Sequence, residues 1–98
     1  MGLLVEYSLN DGMAKAQIDA LEALISGLKD LSDGGYHYTA YETDDPKRFI
    51  AVLEFDDDAA KQRFLDSAPF NTYRDGAKGR FTGPPQTTQI KLVASTRG

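Results

Sequence analysis

Ten aromatic side chains are the first candidates for chemistry in this 98-residue chain. Five are tyrosines and five are phenylalanines. Aromatic rings bring large apolar surfaces, and tyrosine adds a hydroxyl that can meet a polar atom. Either the rings fill a core with their polar tips at its rim, or they surround a planar apolar ligand. The rings expected to meet between sheet and helices are Tyr7, Tyr38, Phe55, Phe64, Phe70 and Tyr73.

Tyr73 and two nearby arginines are the best candidates for a reactive site. The Tyr73 hydroxyl, beside Arg74 or Arg80, is suited to hold a phenolate or quinone oxygen. An arginine there would favour a deprotonated substrate, because its guanidinium keeps its positive charge. The alternatives are that Arg74 is a solvated helix residue and that Arg80 is a loop residue. We take Tyr73 and Arg74 as candidate catalytic residues, and Arg80 with the other aromatic residues as candidate substrate-binding residues.

Other common catalytic constellations are missing from the sequence. The chain has no cysteine nucleophile, no glycine-rich phosphate loop and no serine in a nucleophile elbow. The run Asp56, Asp57 and Asp58 suits the start of a helix, and it lacks the glycine and distal glutamate of a calcium loop. We therefore expect neither a metal nor another cofactor.

His37 is the only histidine, and histidine titrates near neutral pH. Alternation along its strand places it on the opposite face from Tyr38. If Tyr38 faces the helices, His37 faces a dimer partner. Its protonation would then tune dimerisation through Glu6 or Glu54 across the sheets.

Length and composition limit the class of protein. Ninety-eight residues predict a single domain, 1–98. A net charge of −4 without a Lys/Arg cluster argues against a nucleic-acid partner. The start MGLLVEYSL fits neither a secretory signal nor a membrane span. This chain start and the absence of cysteine together predict a soluble, cytoplasmic protein without a membrane partner.

Hydrophobic periodicity and turn residues predict the elements. Apolar residues recur at spacings of three and four from Ile18 to Leu31, which indicates one helical stripe. We expect Asp33, Gly34 and Gly35 to end that helix. Alternating aromatic and apolar segments predict strands, and Pro69 can open a short helix closed by Gly76. The predicted strands are 3–9, 36–42, 47–55 and 86–95, and the predicted helices are 13–31, 58–66 and 69–75.

This order predicts a ferredoxin-like α+β fold, βαββαβ, with both helical regions on one face of a four-stranded antiparallel sheet. Such a fold alone specifies no function. The strands are apolar on both faces: Phe49, Leu53 and Phe55 line one side of their strand, whereas Ile50 and Val52 line the other. Two apolar rows mean two buried faces. The helices can cover only one, so we expect a homodimer formed through the sheet faces.

The segment FLDSAPFNTY (64–73), which follows VLEF (52–55), resembles the dimeric α+β barrel proteins of the antibiotic biosynthesis monooxygenase type. The order of elements agrees along nearly the whole chain. The resemblance implies a homodimer whose two sheets face each other as a barrel, with a pocket between sheet and helices in each subunit. It also implies a cofactor-independent, monooxygenase-like enzyme acting on a small aromatic or quinol substrate. The alternative is a non-catalytic homodimer that binds a small ligand or has a structural role.

Some relatives of this type bind and degrade haem, and this chain departs from them at three places. The resemblance puts Tyr73 and Arg74 where those relatives have their histidine ligand. Phe64 stands near their tryptophan position, and Tyr7 near their asparagine. Haem degradation is therefore not expected, although a tyrosine is able to ligate haem iron.

Overall fold

The structure, a computed structural model, describes residues 1–31 and 34–97. The order of elements is that of the predicted ferredoxin-like α+β fold, with its second helical region divided into two helices. The elements are β1 (Gly2–Ser8), α1 (Ala14–Lys29), β2 (Tyr36–Glu42), β3 (Arg48–Phe55), α2 (Asp58–Asp66), α3 (Ala68–Ala77) and β4 (Gln86–Ile90).

The four strands form one antiparallel sheet in the order β2-β3-β1-β4. Val5 of the central strand β1 lies opposite Ala51 of β3 and Thr87 of β4. Directly opposed residues point to the same face of a sheet. The face toward the helices is the core face, where the buried strand residues are Tyr7, Phe49, Ala51, Leu53 and Phe55.

Helix α1 packs through Leu21, Leu24 and Leu28, which are buried as the periodicity predicts. The helix ends at Lys29, so the predicted extension to Leu31 is wrong, and Leu31 is 41% exposed. The predicted role of Asp33 lies outside the described residues. Gly35, just before β2, has a φ of +92°, a conformation that glycine adopts without steric cost.

The two short helices are joined at Ser67. Asp57 caps α2 by accepting a hydrogen bond from the Ala60 N–H, which confirms a structural role for one of the three aspartates. Ser67 caps α3 by accepting from the Phe70 N–H. Helix α3 then continues through the predicted stop at Gly76 to Ala77, and in this way carries Tyr73 over the sheet.

The last strand is shorter than the sequence predicts. Strand β4 ends at Ile90, which lies opposite Gly2, the first residue of β1. Residues 91–95 therefore have no β1 residue left to pair with, and the predicted strand to Ser95 is wrong. Leu92 and Val93, expected to be strand residues, are 72% and 94% exposed.

Candidate functional site

A cavity of about 600 Å³ lies between the core face of the sheet, α2, α3 and the loop that precedes β4. Seven of the eight candidate site residues line it, and the eighth, Arg80, lies behind Tyr73. A groove of about 710 Å³ between α1 and the edge strand β2 contains only Tyr38 of that set. We therefore treat the first cavity as the candidate site. Its predicted lining residues are Tyr7, Tyr38, Phe55, Phe64, Phe70, Tyr73 and Arg74.

The polar end of the cavity is organised by Gln17, a fully buried residue of α1. Its Nε2 donates hydrogen bonds of 2.7 Å to the hydroxyls of both Tyr7 and Tyr73. Its Oε1 accepts a 2.7 Å hydrogen bond from Nε of Arg80. The Arg80 guanidinium also lies 5.3 Å from the centre of the Tyr73 ring. Four side chains from β1, α1, α3 and the following turn thus form one connected network.

The hydroxyls of Tyr7 and Tyr38 are held in their protonated form. Burial raises the pKa of Tyr7 well above the ordinary tyrosine value, and the neighbouring Tyr73 hydroxyl raises it further. Burial likewise raises the pKa of Tyr38, with Tyr73 as its next cause. Neutral tyrosines donate hydrogen bonds. The site therefore offers donors to an oxygen atom of a ligand.

Aromatic rings form the apolar part of the cavity. Phe64 is buried, and its ring centre lies 4.6 Å from that of Phe70 and 5.7 Å from that of Phe55. On the other side of the site, the Phe81 ring stacks on Tyr7 at 4.2 Å. These contacts fix the rings as walls around an open volume, so the cavity combines apolar sides with one polar end.

The two candidate arginines occupy different places. Arg74 is exposed at the margin of the cavity, with its guanidinium 5.7 Å from the centre of the Phe70 ring and a hydrogen bond to Asn71. Successive residues of a helix are about 100° apart, which separates Arg74 from Tyr73. Arg80 is half-buried in the network instead. Of the two arginines, Arg80 is the one in contact with Tyr73.

Gln17 and Phe81 take part in the site but were not predicted from the sequence. Gln17 precedes Leu21 by four residues and Leu24 by seven, so a polar side chain sits on the apolar stripe of α1; this was the available signal. Phe81 falls in the segment 76–85, which was expected to be a loop, and it forms an isolated bridge with Leu9. That long-range pairing has no local sequence signal.

His37 lies outside this arrangement. His37 is exposed on the outer face of the sheet, opposite Glu54 of the neighbouring strand in the same chain.

Within residues 1–31 and 34–97, no group of three or more histidine, cysteine or acidic side chains could hold a metal ion. In the same part of the chain, no helix is both long enough and apolar enough to cross a membrane.

The family model for antibiotic biosynthesis monooxygenase matches residues 1–76. The chain belongs to this family. The matched region contains Gln17, Tyr38, Tyr73 and Arg74, so most of the cavity lies within the part that antibiotic biosynthesis monooxygenases share. Arg80 and Phe81 lie beyond the match, in the segment that closes the site.

Solved structures agree with membership in the antibiotic biosynthesis monooxygenase family at the level of the fold. A Bacteroides thetaiotaomicron protein provisionally named as such a monooxygenase has a TM-score of 0.84 at 15% identity, over 98% of this chain and 91% of its own. A Mycobacterium tuberculosis protein has a TM-score of 0.81 at 18% identity, over 97% and 96%. A Nitrosomonas europaea protein of unknown function has a TM-score of 0.80 at 22% identity, over 97% and 90%. The search of curated proteins finds no match to this chain.

Proposed function

We propose that the protein is a cofactor-independent monooxygenase that acts on a small aromatic or quinol substrate. The observation that carries the proposal is the hydrogen-bond network of Tyr7, Tyr73 and Gln17 at the polar end of an aromatic cavity. A planar ring fits between the phenylalanine walls, and its oxygen then meets the tyrosine hydroxyls. Membership in the family favours oxygenation over other reactions of such a ring.

In this proposal the substrate itself supplies the electrons that reduce O₂. Hydrogen bonds from neutral Tyr7 and Tyr38 stabilise the phenolate form of the substrate, and Arg80 adds positive charge behind Tyr73. An electron-rich phenolate then reduces O₂. One oxygen atom enters the ring as a carbonyl, and the other leaves as water with two substrate hydrogens. Tyr73 holds the reacting oxygen, and Arg74 lies at the cavity margin.

Oxygen uptake with 1,5-dihydroxynaphthalene tests this function. Its oxygenation to 5-hydroxy-1,4-naphthoquinone consumes one O₂ and releases one water. We expect uptake above the protein-free rate, and a decrease of about 100-fold in Tyr73→Phe, the range found when one donor to a developing charge is removed. Tyr41→Phe is the control, because Tyr41 is exposed on the outer face of the sheet. Uptake that is equal in wild type and Tyr73→Phe contradicts the proposal.

The alternative is a non-catalytic protein that binds a small ligand in the same cavity. It is favoured by one observation: among the described residues that line the cavity, there is no histidine, aspartate or glutamate to act as a general base. Under this alternative, the same naphthalene diol binds with measurable affinity, while the rate of oxygen uptake equals that of protein-free buffer.

A homodimer formed through the outer sheet faces is part of the proposal. The outer face carries Leu4, Ile50 and Val52, which lie side by side on the two central strands. All three are half-buried in the single chain and have no helix above them. A second copy would bury this row, as the dimeric barrels that the sequence resembles imply. A cytoplasmic location, expected from the sequence, remains a prediction.

A further inference from the structure

The cavity has a charge opposite in sign to that of the protein as a whole. Its charged lining residues, among those the structure describes, are Lys61, Arg74 and Lys78, and none of the lining residues is acidic. The chain has 15 acidic and 11 basic residues. In a protein with excess negative charge, three cations around one cavity without an acidic neighbour in its wall need an explanation.

Within the described part of the chain, these three cations take part in no ion pair. The ion pairs within residues 1–31 and 34–97 join Lys15 to Asp19, Lys47 to Asp11 and Arg48 to Glu6, all away from the cavity. The contacts of Arg74 are with the neutral Asn71 side chain and the Phe70 ring. The positive charge at the cavity therefore remains available to a ligand.

Helix stability explains only part of this arrangement. Arg74 and Lys78 lie at the C-terminal end of α3, where positive charge interacts favourably with the helix dipole. Lys61 is the fourth residue of α2, and the start of a helix favours negative charge instead. Lys61 contributes to the same cavity from a different helix. A shared ligand accounts for all three positions, whereas helix capping does not.

We propose that the ligand of this cavity is an aromatic carboxylic acid. Its carboxylate is held by Lys61, Arg74 and Lys78, and its ring extends inward between Phe64 and Phe70. A phenolic oxygen at the far end of the ring meets the hydroxyls of the inner network. The orientation of the ring rests on the function proposed above, but the preference for an anion rests on the charges of the wall alone.

Binding of two matched fluorescent ligands tests the inference without any turnover. The first is 6-hydroxy-2-naphthoate, and the second is the neutral 6-hydroxy-2-naphthamide, both titrated in the absence of oxygen. We expect the acid to bind about 10-fold more tightly at low salt, a sum of weak exposed ion pairs. The difference should shrink as the salt concentration rises to about 0.5 M, because salt screens exposed charges. Equal dissociation constants for the two ligands, or no binding of either, would overturn it.

Two triple variants show where the preference resides. In the first, Lys61, Arg74 and Lys78 are each replaced by Gln, and the preference for the acid should be lost. The control replaces Lys15, Lys29 and Lys91 by Gln, which removes the same number of positive charges away from this cavity. It should keep the preference. A loss in the control as large as in the first variant contradicts the inference. Failure of oxygen uptake leaves this result unaffected, because only binding is measured.

Discussion

Nε of Arg80 donates a 2.7 Å hydrogen bond to Oε1 of Gln17. Since arginine has no acceptor, this contact determines which end of the Gln17 amide faces which neighbour. Nε2 is directed at the hydroxyl oxygens of Tyr7 and Tyr73, which both accept from it. A residue beyond the end of α3 thus sets the orientation of the amide that both tyrosine hydroxyls contact.

Loss of the Gln17 amide should destabilise the fold. Gln17→Leu keeps a side chain of similar size, but it leaves buried hydroxyls and the Arg80 Nε without their partner. We expect the free energy of unfolding to fall by about 2 kcal/mol, in the range for buried polar groups that lose a hydrogen bond. Urea denaturation measures it. Gln62→Leu, at an exposed position of α2, is the matched control and should change stability by less than about 0.5 kcal/mol. Equal losses in the two variants would show that the network contributes nothing.

The raised pKa values of Tyr7 and Tyr38 should appear in an alkaline titration. Above the ordinary tyrosine pKa of 10.0, the unfolded chain releases protons that the folded chain keeps at these two positions. The unfolded state then binds fewer protons, so stability falls as pH rises above that value. Below it, the contribution of the two tyrosines does not change with pH.

Absorbance of tyrosinate, followed with and without guanidinium, measures this effect. In the folded protein we expect Tyr7 and Tyr38 to ionise only when the chain unfolds. Tyr7→Phe and Tyr38→Phe should each reduce that late absorbance change. A titration in which all tyrosines ionise together in the folded state is incompatible with the buried hydroxyls described above.

The outer sheet face should be required for dimerisation. Val52→Lys places a charge in the middle of the apolar row of Leu4, Ile50 and Val52. We expect the dimer dissociation constant to rise at least about 100-fold, because an unpaired charge buried in an interface costs several kcal/mol. Sedimentation equilibrium measures the constant, and Gln62→Lys on α2 adds the same charge away from the sheet. A wild-type protein that is monomeric at high concentration would refute the proposed interface.

The order and type of elements could be predicted because each carries a local pattern. The apolar stripe of Leu21, Leu24 and Leu28 predicted α1, and alternation along Phe49–Phe55 predicted β3. The end of β4 could not be predicted in this way. Leu92 and Val93 continue an apolar pattern, but whether they pair depends on where β1 begins. The end of β4 is therefore set by β1, and not by the sequence of β4 itself.

The candidate site likewise contains residues with a local sequence signal and residues whose contacts are distant in sequence. Residues with both an aromatic ring and a place on a patterned element, such as Tyr38 and Phe64, were predicted to lie together, and they line one cavity. Gln17 was missed because its role depends on hydroxyls 10 and 56 residues away in sequence. Arg80 was assigned to the site for its charge, whereas its contact with Gln17 depends on how α3 ends.

The most direct test of the proposed reaction is to follow the oxygen atom itself. The protein is incubated with 1,5-dihydroxynaphthalene under oxygen-18 gas, and the quinone product is analysed at once by mass spectrometry. We predict one labelled oxygen atom in each product molecule, formed faster than in protein-free buffer. A product without label, or labelled product formed at the protein-free rate, would contradict a monooxygenase function for this cavity.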